Sequence, residues 1–335
     1  MITQANLDTL VTVFGGSGFL GRHLVRALCR RGYRVRVAVR RPELTGHLQP
    51  LGRVGQIHAV QANVRYPKSV EAAARDADIV INLVAILYEH GRQRFDTVQA
   101  FGAEAVALAA AAFGARLIHV SAIGADETSP SRYARSKAMG EKLVFAAMPA
   151  ATVLRPSILF GPEDDFFNKF AAMARISPAL PLIGGGETRF QPVFAGDVAN
   201  AMLAAIDRQE SQGKTYEIGG PEVKSFRELM EFVLATIERR RLLVPIPFGP
   251  ARLIGGVLEL AGALHKPLLT RDQVELLRRD NVVSGEASRQ GRTLAGLGIA
   301  PIAMGAEVPA YLWRFRKAGQ FQRMDDRRRT TDNRA

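Results

Sequence analysis

Leu10-Val11-Thr12-Val13-Phe14-Gly15-Gly16-Ser17-Gly18-Phe19-Leu20-Gly21 is the stretch on which the reading of the fold turns. Residues 10 to 14 are a short apolar, β-branched run, the pattern of a buried strand. Glycines follow at 15, 16, 18 and 21. Leu20, Leu24, Val25 and Leu28 then recur at helical spacing, and Gly32 is placed to stop a helix over Phe19 to Arg31. A strand that runs through a glycine turn into a helix presents free N–H groups and a positive dipole end to an anion. The glycines let the backbone approach that anion closely. A dinucleotide pyrophosphate is the expected occupant.

Strands and helices alternate onward from this turn. Arg34 to Val39 reads as a second strand and Ile57 to Val60 as a weaker third. Val70 to Ala77 reads as a helix, and Asp78 to Leu87 as a strand interrupted by Asn82. An Ala-rich helix is predicted over Thr97 to Phe113, a strand over Arg116 to Val120, a helix over Ser131 to Met148 and a strand over Thr152 to Leu154. Short links between such elements imply right-handed crossovers and a parallel sheet. The expectation is an α/β fold: a Rossmann-type, doubly wound parallel sheet over residues 1–160, with a smaller C-terminal α+β lobe over 161–313. The lobe begins with a helix over Phe166 to Ile176, then a loop marked by Pro178, Pro181 and Gly184 to Gly186. Helices are expected over Asp197 to Asp207, Phe226 to Arg239 and Ala251 to Leu264, with a Pro-rich link over Val244 to Pro250. Residues 314–335 read as a basic, flexible tail.

The second strand ends in Val39-Arg40-Arg41-Pro42, with no carboxylate before Glu43. A carboxylate there would bind the ribose 2′-hydroxyl of NAD. Arg40 and Arg41 instead suit a 2′-phosphate, so NADP(H) is the expected cofactor.

The composition agrees with a soluble globular chain. Of 335 residues, 47% are hydrophobic and 23% charged. Cys29 is the single cysteine, which excludes a disulfide framework and a multi-cysteine metal site. The six histidines show no metal-ligand spacing, and no metal is expected. There are 45 Lys and Arg against 32 Asp and Glu, a net charge of +13. That excess favours an acidic partner: a nucleotide, an anionic membrane surface, a nucleic acid or an acidic protein. No nucleic-acid motif accompanies the charge, and no nucleic acid is expected. The longest purely apolar run, Ala105 to Phe113, is less than half of what a spanning helix needs. The N-terminal residues lack the basic-then-apolar pattern of a leader. The expected location is cytoplasmic, with a peripheral membrane site left open.

Tyr133-Ala134-Arg135-Ser136-Lys137 puts Tyr133 and Lys137 four apart on one helix face. A nearby ammonium stabilises phenolate, so such a tyrosine suits acid–base work on a carbonyl or an alcohol. Ser121, at the end of the strand Arg116 to Val120, is placed to polarise the carbonyl. The set resembles the short-chain dehydrogenase/reductase superfamily. Leu154-Arg155-Pro156-Ser157 through Gly161-Pro162 and Gln191-Pro192-Val193 through Asp197-Val198-Ala199 resemble its extended or atypical branch. The runs Ile118 to Asp126, Tyr133 to Glu141 and Arg155 to Asn168 are similar to the nucleotide-binding accessory subunits of respiratory complex I and their bacterial relatives.

The resemblance implies the cofactor contacts residue by residue. Gly15, Ser17, Gly18, Phe19 and Leu20 would meet the pyrophosphate, and Arg40 with Arg41 the 2′-phosphate. Asn63 and Val64 would lie by the adenine, and Val84 with Ala85 under the cofactor at a strand end. Tyr133, Lys137, Pro156 and Ser157 would surround the nicotinamide and its ribose. This sequence departs from the family pattern in having Asn63 for a frequent Asp, Ala122 after Ser121 and Gln99 for a frequent Asn.

Two functions follow. The resemblance to the accessory subunits implies an NADPH-binding component of complex I, its nucleotide mainly structural, at the peripheral arm near the membrane. The Ser121, Tyr133 and Lys137 set points to a free NADPH-dependent reductase or dehydrogenase instead, with those three as catalytic residues. Ala251 to Leu264, with few charges, reads as a docking helix at an interface or membrane surface, or equally as a core element. Arg239 to Arg241, with Arg327 to Arg329, form a basic footprint that reads as a solvated charge run or as a contact with anionic lipid headgroups or an acidic partner.

Overall fold

The computed structural model describes residues 4–261, 267–317 and 319. After a short helix α1 (Gln4–Asp8), the chain runs β1 (Leu10–Phe14), α2 (Phe19–Arg30), β2 (Arg34–Val39), β3 (Ile57–Gln61), α3 (Pro67–Ala74) and β4 (Ile79–Asn82). It continues with α4 (Phe101–Ala112), β5 (Arg116–Val120), α5 (Arg132–Ala147) and β6 (Thr152–Pro156). These strands form one parallel sheet, joined later by β11 (Thr215–Ile218), in the order β11-β6-β5-β4-β1-β2-β3. The order reverses between β1 and β4, which pair in register from Val11 with Ile79 to Phe14 with Asn82. The crevice beyond such a reversal is where open α/β sheets bind ligands.

The later chain holds β7 (Leu159–Phe160), α6 (Phe167–Ile176), β8 (Ala179–Ile183), β9 (Arg189–Phe190), β10 (Val193–Phe194), α7 (Ala195–Asp207) and β11 (Thr215–Ile218). Then come β12 (Lys224–Ser225), α8 (Phe226–Thr236), β13 (Leu242–Ile246), α9 (Phe248–Ala261), α10 (Arg271–Leu276), α11 (Gly285–Arg289) and α12 (Met304–Leu312). β11 extends the large sheet beside β6. α7 packs on α2, so its Val198, Met202 and Ile206 share one buried cluster with Leu24, Val25 and Leu28. The opposite face is covered by α3, α4 and α5, whose alanines bring the helices close to the sheet. A separate aromatic core, including Phe160, Phe167, Phe190 and Phe226, holds the lobe together.

Several expectations need correction. The strand expected over 78–87 ends at Asn82. There Asn82 Oδ1 accepts from Val84 N at 3.1 Å and turns the chain out of the sheet. The helix expected from Thr97 starts with a widened π turn over Asp96–Ala100. The loop expected over 178–186 contains β8, and the Pro-rich link contains part of β13. The two strands pair in parallel, Pro181 opposite Val244 and Pro245 opposite Leu182. A two-stranded pair leaves each strand an open edge, where a proline's missing donor costs nothing. The helix expected over 251–264 runs from Phe248 to Ala261, and residues 262–266 lie outside the described residues. Residues 314–316, expected as tail, pack on the fold. Arg314 donates to Asn168 Oδ1 at 2.7 Å, and Arg316 to the Thr236 carbonyl at 3.0 Å. Most of the remaining tail lies outside the described residues.

Candidate functional site

A cavity of about 270 Å³ opens at the reversal point. Its floor is the glycine turn. Gly15 holds a left-handed φ of +80°, and a Cβ there would sit 3.4 Å from the Val84 backbone nitrogen. Gly18 caps α2 with no side-chain hydrogen bond, so the first N–H groups of that helix remain available. Gly21 lets α2 lie against the turn: its Cβ would be 2.4 Å from the Gly16 carbonyl oxygen. These features fit a pyrophosphate cradle.

The structure brings Gly15, Ser17, Gly18, Arg40, Asn63, Val64, Val84 and Ala85 to one lining. Arg41 is exposed beside Arg40 and starts a 3-10 turn at Pro42, outside that lining. Phe19, Leu20, Tyr133, Lys137, Pro156 and Ser157 also stand outside it. Arg65 and Gln93 line the cavity unforeseen. Arg65 follows directly on Asn63 and Val64, which was the available signal. Its guanidinium donates to the Arg92 carbonyl at 3.2 Å and so ties the 83–95 segment over the cavity.

The Ser121, Tyr133 and Lys137 set lies at the ends of β5 and α5. Lys137 is only 2% exposed, and its Nζ lies 6.0 Å from the centre of the Tyr133 ring. Burial brings the Lys137 ammonium down to about 8, against an upward pull from Glu141. The Tyr133 phenol is pushed up to about 12, by burial first and by the Asp272 carboxylate second. Ser121 Oγ is buried without a hydrogen-bond partner among the described residues. Gln99 Oε1 and His119 Nε2 are in the same state, although Gln99 Nε2 donates to Ser136 Oγ and His119 Nδ1 meets Asn82 Nδ2. An orphaned Ser121 hydroxyl beside a buried lysine fits a site shaped for a polar group that completes it.

Ser157 is committed elsewhere. Its hydroxyl donates to Asn281, at 2.7 Å to Oδ1, and Asn281 Nδ2 reaches the Ile123 carbonyl at 3.1 Å. Asn281 thus sews the lobe to the ends of β5 and β6. Arg155 makes a two-pronged bond to Glu141, at 2.9 and 2.6 Å, which fixes α5 on β6. Cys29 is buried in α2, its thiol pushed up to about 11, which keeps it unreactive. Among the described residues, no group of three or more His, Cys, Asp or Glu is placed to hold a metal ion.

The sequence profile of the NAD dependent epimerase/dehydratase family matches residues 11–219. The chain belongs to that family, whose members are extended short-chain dehydrogenases/reductases. It is 37% identical over 320 residues to the mitochondrial NADH dehydrogenase [ubiquinone] 1 alpha subcomplex subunit 9 of Arabidopsis thaliana, covering 92% of this chain and 79% of that protein. It is 36% identical over 195 residues to a ceramide reductase of Caulobacter vibrioides, covering 58% and 60%. Among solved structures, UDP-glucuronic acid 4-epimerase of Bacillus cereus superposes with a TM-score of 0.69 at 17% identity, over 91% of this chain and 99% of that one. This last likeness is one of fold. The family binds a dinucleotide of the NAD(P) type, which the cradle at Gly15 to Gly18 fits.

Proposed function

We propose that the chain holds NADP(H) in the Gly15-to-Arg40 cavity and serves as an accessory or assembly subunit of a respiratory NADH:quinone oxidoreductase, its nucleotide mainly structural. The observation that carries the reading is the likeness to the Arabidopsis subunit across nine-tenths of the chain, lobe included. Arg40, with no carboxylate at the end of β2, supports the 2′-phosphate. Burial keeps the Tyr133 phenol protonated, so its hydroxyl is available to donate to a ribose. Gly15, Ser17 and Gly18 would meet the pyrophosphate from the lining, with the N–H groups of Phe19 and Leu20 at the start of α2, and Tyr133, Lys137 and Pro156 would stand at the far end of the cofactor.

The partners in this reading are complex I subunits of the peripheral arm near the membrane. On α9, Leu253 is 74% exposed, and Ile254 and Val257 stand exposed near it with Arg252. That face supports contact with a partner or an anionic lipid surface, at the cytoplasmic side of the membrane. No described helix is long and apolar enough to cross a membrane.

The orphaned Ser121 hydroxyl favours a second reading, a free NADPH-dependent reductase. Bound there, the nicotinamide is the hydride carrier. Ser121 would polarise the carbonyl, Tyr133 would hold the proton, and Lys137 would tune it. A mild-detergent pulldown of the tagged chain separates the two, with mass spectrometry of co-purifying proteins and of released nucleotide. Complex I subunits with NADPH are expected. A chain that emerges alone, with exchangeable nucleotide and turnover lost in Tyr133→Phe, sinks the accessory reading.

A further inference from the structure

Asp272 of α10 accepts three hydrogen bonds from the start of α5. Ser131 Oγ donates at 2.8 Å, Arg132 N at 2.6 Å and Tyr133 N at 3.1 Å. The first N–H groups of a helix have no partner inside it, and a carboxylate there is favoured by the helix dipole. The carboxylate comes from 139 residues or more along the chain. It therefore ties α10 to the helix that carries Tyr133 and Lys137.

The junction has two further arms. Arg132 pairs with Glu89 at 2.7 Å, and Glu89 Oε1 accepts from Phe95 N at 2.9 Å. Phe95 meets the Tyr133 ring edge to face at 5.8 Å. The same segment supplies Ile86 and Gln93 to the nucleotide cavity. On the other side, α10 is held to α9. Arg271 N donates to Glu259 Oε1 at 2.8 Å, and Arg252 pairs with Glu275 at 3.6 Å. A cavity of about 460 Å³ opens where these arms meet, lined by Glu89, Phe95, Arg132, Arg252 and Asp272 among others.

We propose that Asp272 is a positioning residue for the nucleotide site: it sets the first turn of α5, and so Tyr133 and Lys137, and thereby couples nucleotide occupancy to the seating of α9 and α10. The inference rests on the reading that the cleft binds NADP(H). The physical ground is that α5 behaves as one rigid element. A shift of its first turn moves Lys137, one turn on, away from where a ribose would be held. Reciprocity then requires that a nucleotide gripped by Tyr133 and Lys137 firms up the contact with Asp272.

The test is hydrogen exchange on the full chain with and without NADPH, beside binding titrations of the wild type and Asp272→Asn. NADPH is expected to slow exchange in residues 248–261 and 271–276 by about fivefold or more. Asp272→Asn is expected to bind NADPH about fivefold more weakly or worse and to lose that protection, with its preference for NADPH over NADH unchanged. A merely structural cap predicts lower thermal stability alone. So a variant that binds NADPH as the wild type does overturns the inference, as does wild-type exchange in α9 and α10 that ignores NADPH. The wild-type exchange result decides by itself where Asp272→Asn does not fold. If the wild type binds no NADPH, the cofactor reading falls and this inference with it. If it binds NADPH tightly and α9 and α10 do not respond, only the inference falls.

Discussion

The Lys137 ammonium donates to the Val120 carbonyl at 3.2 Å, so the buried cation of α5 is tied to the strand end that carries Ser121. This contact gives the ammonium one backbone acceptor in place of water. Burial remains the stronger effect and brings the group down to about 8, from an ordinary value of 10.5.

A test of this burial lies on the alkaline side. Between about pH 8 and 10.5 the unfolded chain binds more protons at this position than the folded one, so the contribution of Lys137 to stability rises with pH in that window. From pH 8 to pH 10 the rise is about 2 kcal/mol. Lys137→Met abolishes it. Denaturant titrations at the two pH values check this, and a variant whose stability changes between them as the wild type's does refutes it. Cys29, raised from 9.0 to about 11, opposes this rise over the same window, and Tyr133, raised from 10.0 to about 12, opposes it from about pH 10, so the quantity read is the difference between the wild type and Lys137→Met.

His119 gives the mirror case on the acid side. It is wholly buried, and its imidazole is brought down to about 3 by burial first and by the Lys137 charge second. The unfolded chain takes up its proton below about 6.5, so stability falls as pH drops from 6.5 towards 3. Between pH 7 and pH 5 the loss from this one residue is about 2 kcal/mol. His119→Asn removes that part of the acid loss, read as a shallower fall in denaturation free energy. Equal slopes for the wild type and the variant contradict the assignment.

The glycine turn and the alternation of strands and helices that builds the parallel sheet were legible because local pattern decides them, whereas the pairing of β1 with β4 came from the structure. Four apolar residues and the β-branched Thr12 before Gly15, and a helical repeat after Gly18, leave little choice of structure. β8 and β13 were not legible, since Pro181 and Pro245 break the strand pattern and only their open edges make pairing acceptable. The site divides the same way. Gly15, Gly18 and Arg40 stand at the ends of elements the pattern defines. The roles of Asp272 and Asn281 depend on contacts more than 120 residues apart, for which a single sequence carries no signal. Thr270, the cap of α10, marks a helix start but says nothing of where Asp272 points.

Arg40 and Arg41 separate in the structure, and their variants are expected to separate too. Arg40 lines the nucleotide cavity and Arg41 does not. An arginine on a phosphate makes charge-assisted bonds of about 1.5–3 kcal/mol. Arg40→Ala therefore weakens NADPH by at least about tenfold and leaves NADH within about threefold. Arg41→Ala changes NADPH by less than about threefold. Fluorescence titration with both nucleotides checks the order. A larger loss in Arg41→Ala would falsify the placement of the 2′-phosphate at Arg40.

The glycines of the turn do different work, and alanine distinguishes them. At Gly21 an added Cβ would lie 2.4 Å from the Gly16 carbonyl oxygen and 2.6 Å from that of Gly15. Both are backbone atoms, so α2 must move off the turn. Gly21→Ala is expected to destabilise the fold by about 2 kcal/mol or more, by the mechanism of overpacking. At Gly18 the backbone is extended with φ −73°, open to any residue, and an added Cβ would meet only the Gly15 carbonyl oxygen, at 3.3 Å. Gly18→Ala therefore folds with a loss under about 1 kcal/mol. It still places a methyl group in the lining of the cradle, where a pyrophosphate must approach backbone N–H groups. NADPH affinity is expected to drop by about tenfold while thermal unfolding barely moves. Calorimetry beside nucleotide titration reads both quantities on the same samples. A Gly18→Ala protein that binds NADPH as the wild type does would remove the cradle from this turn, whatever its stability.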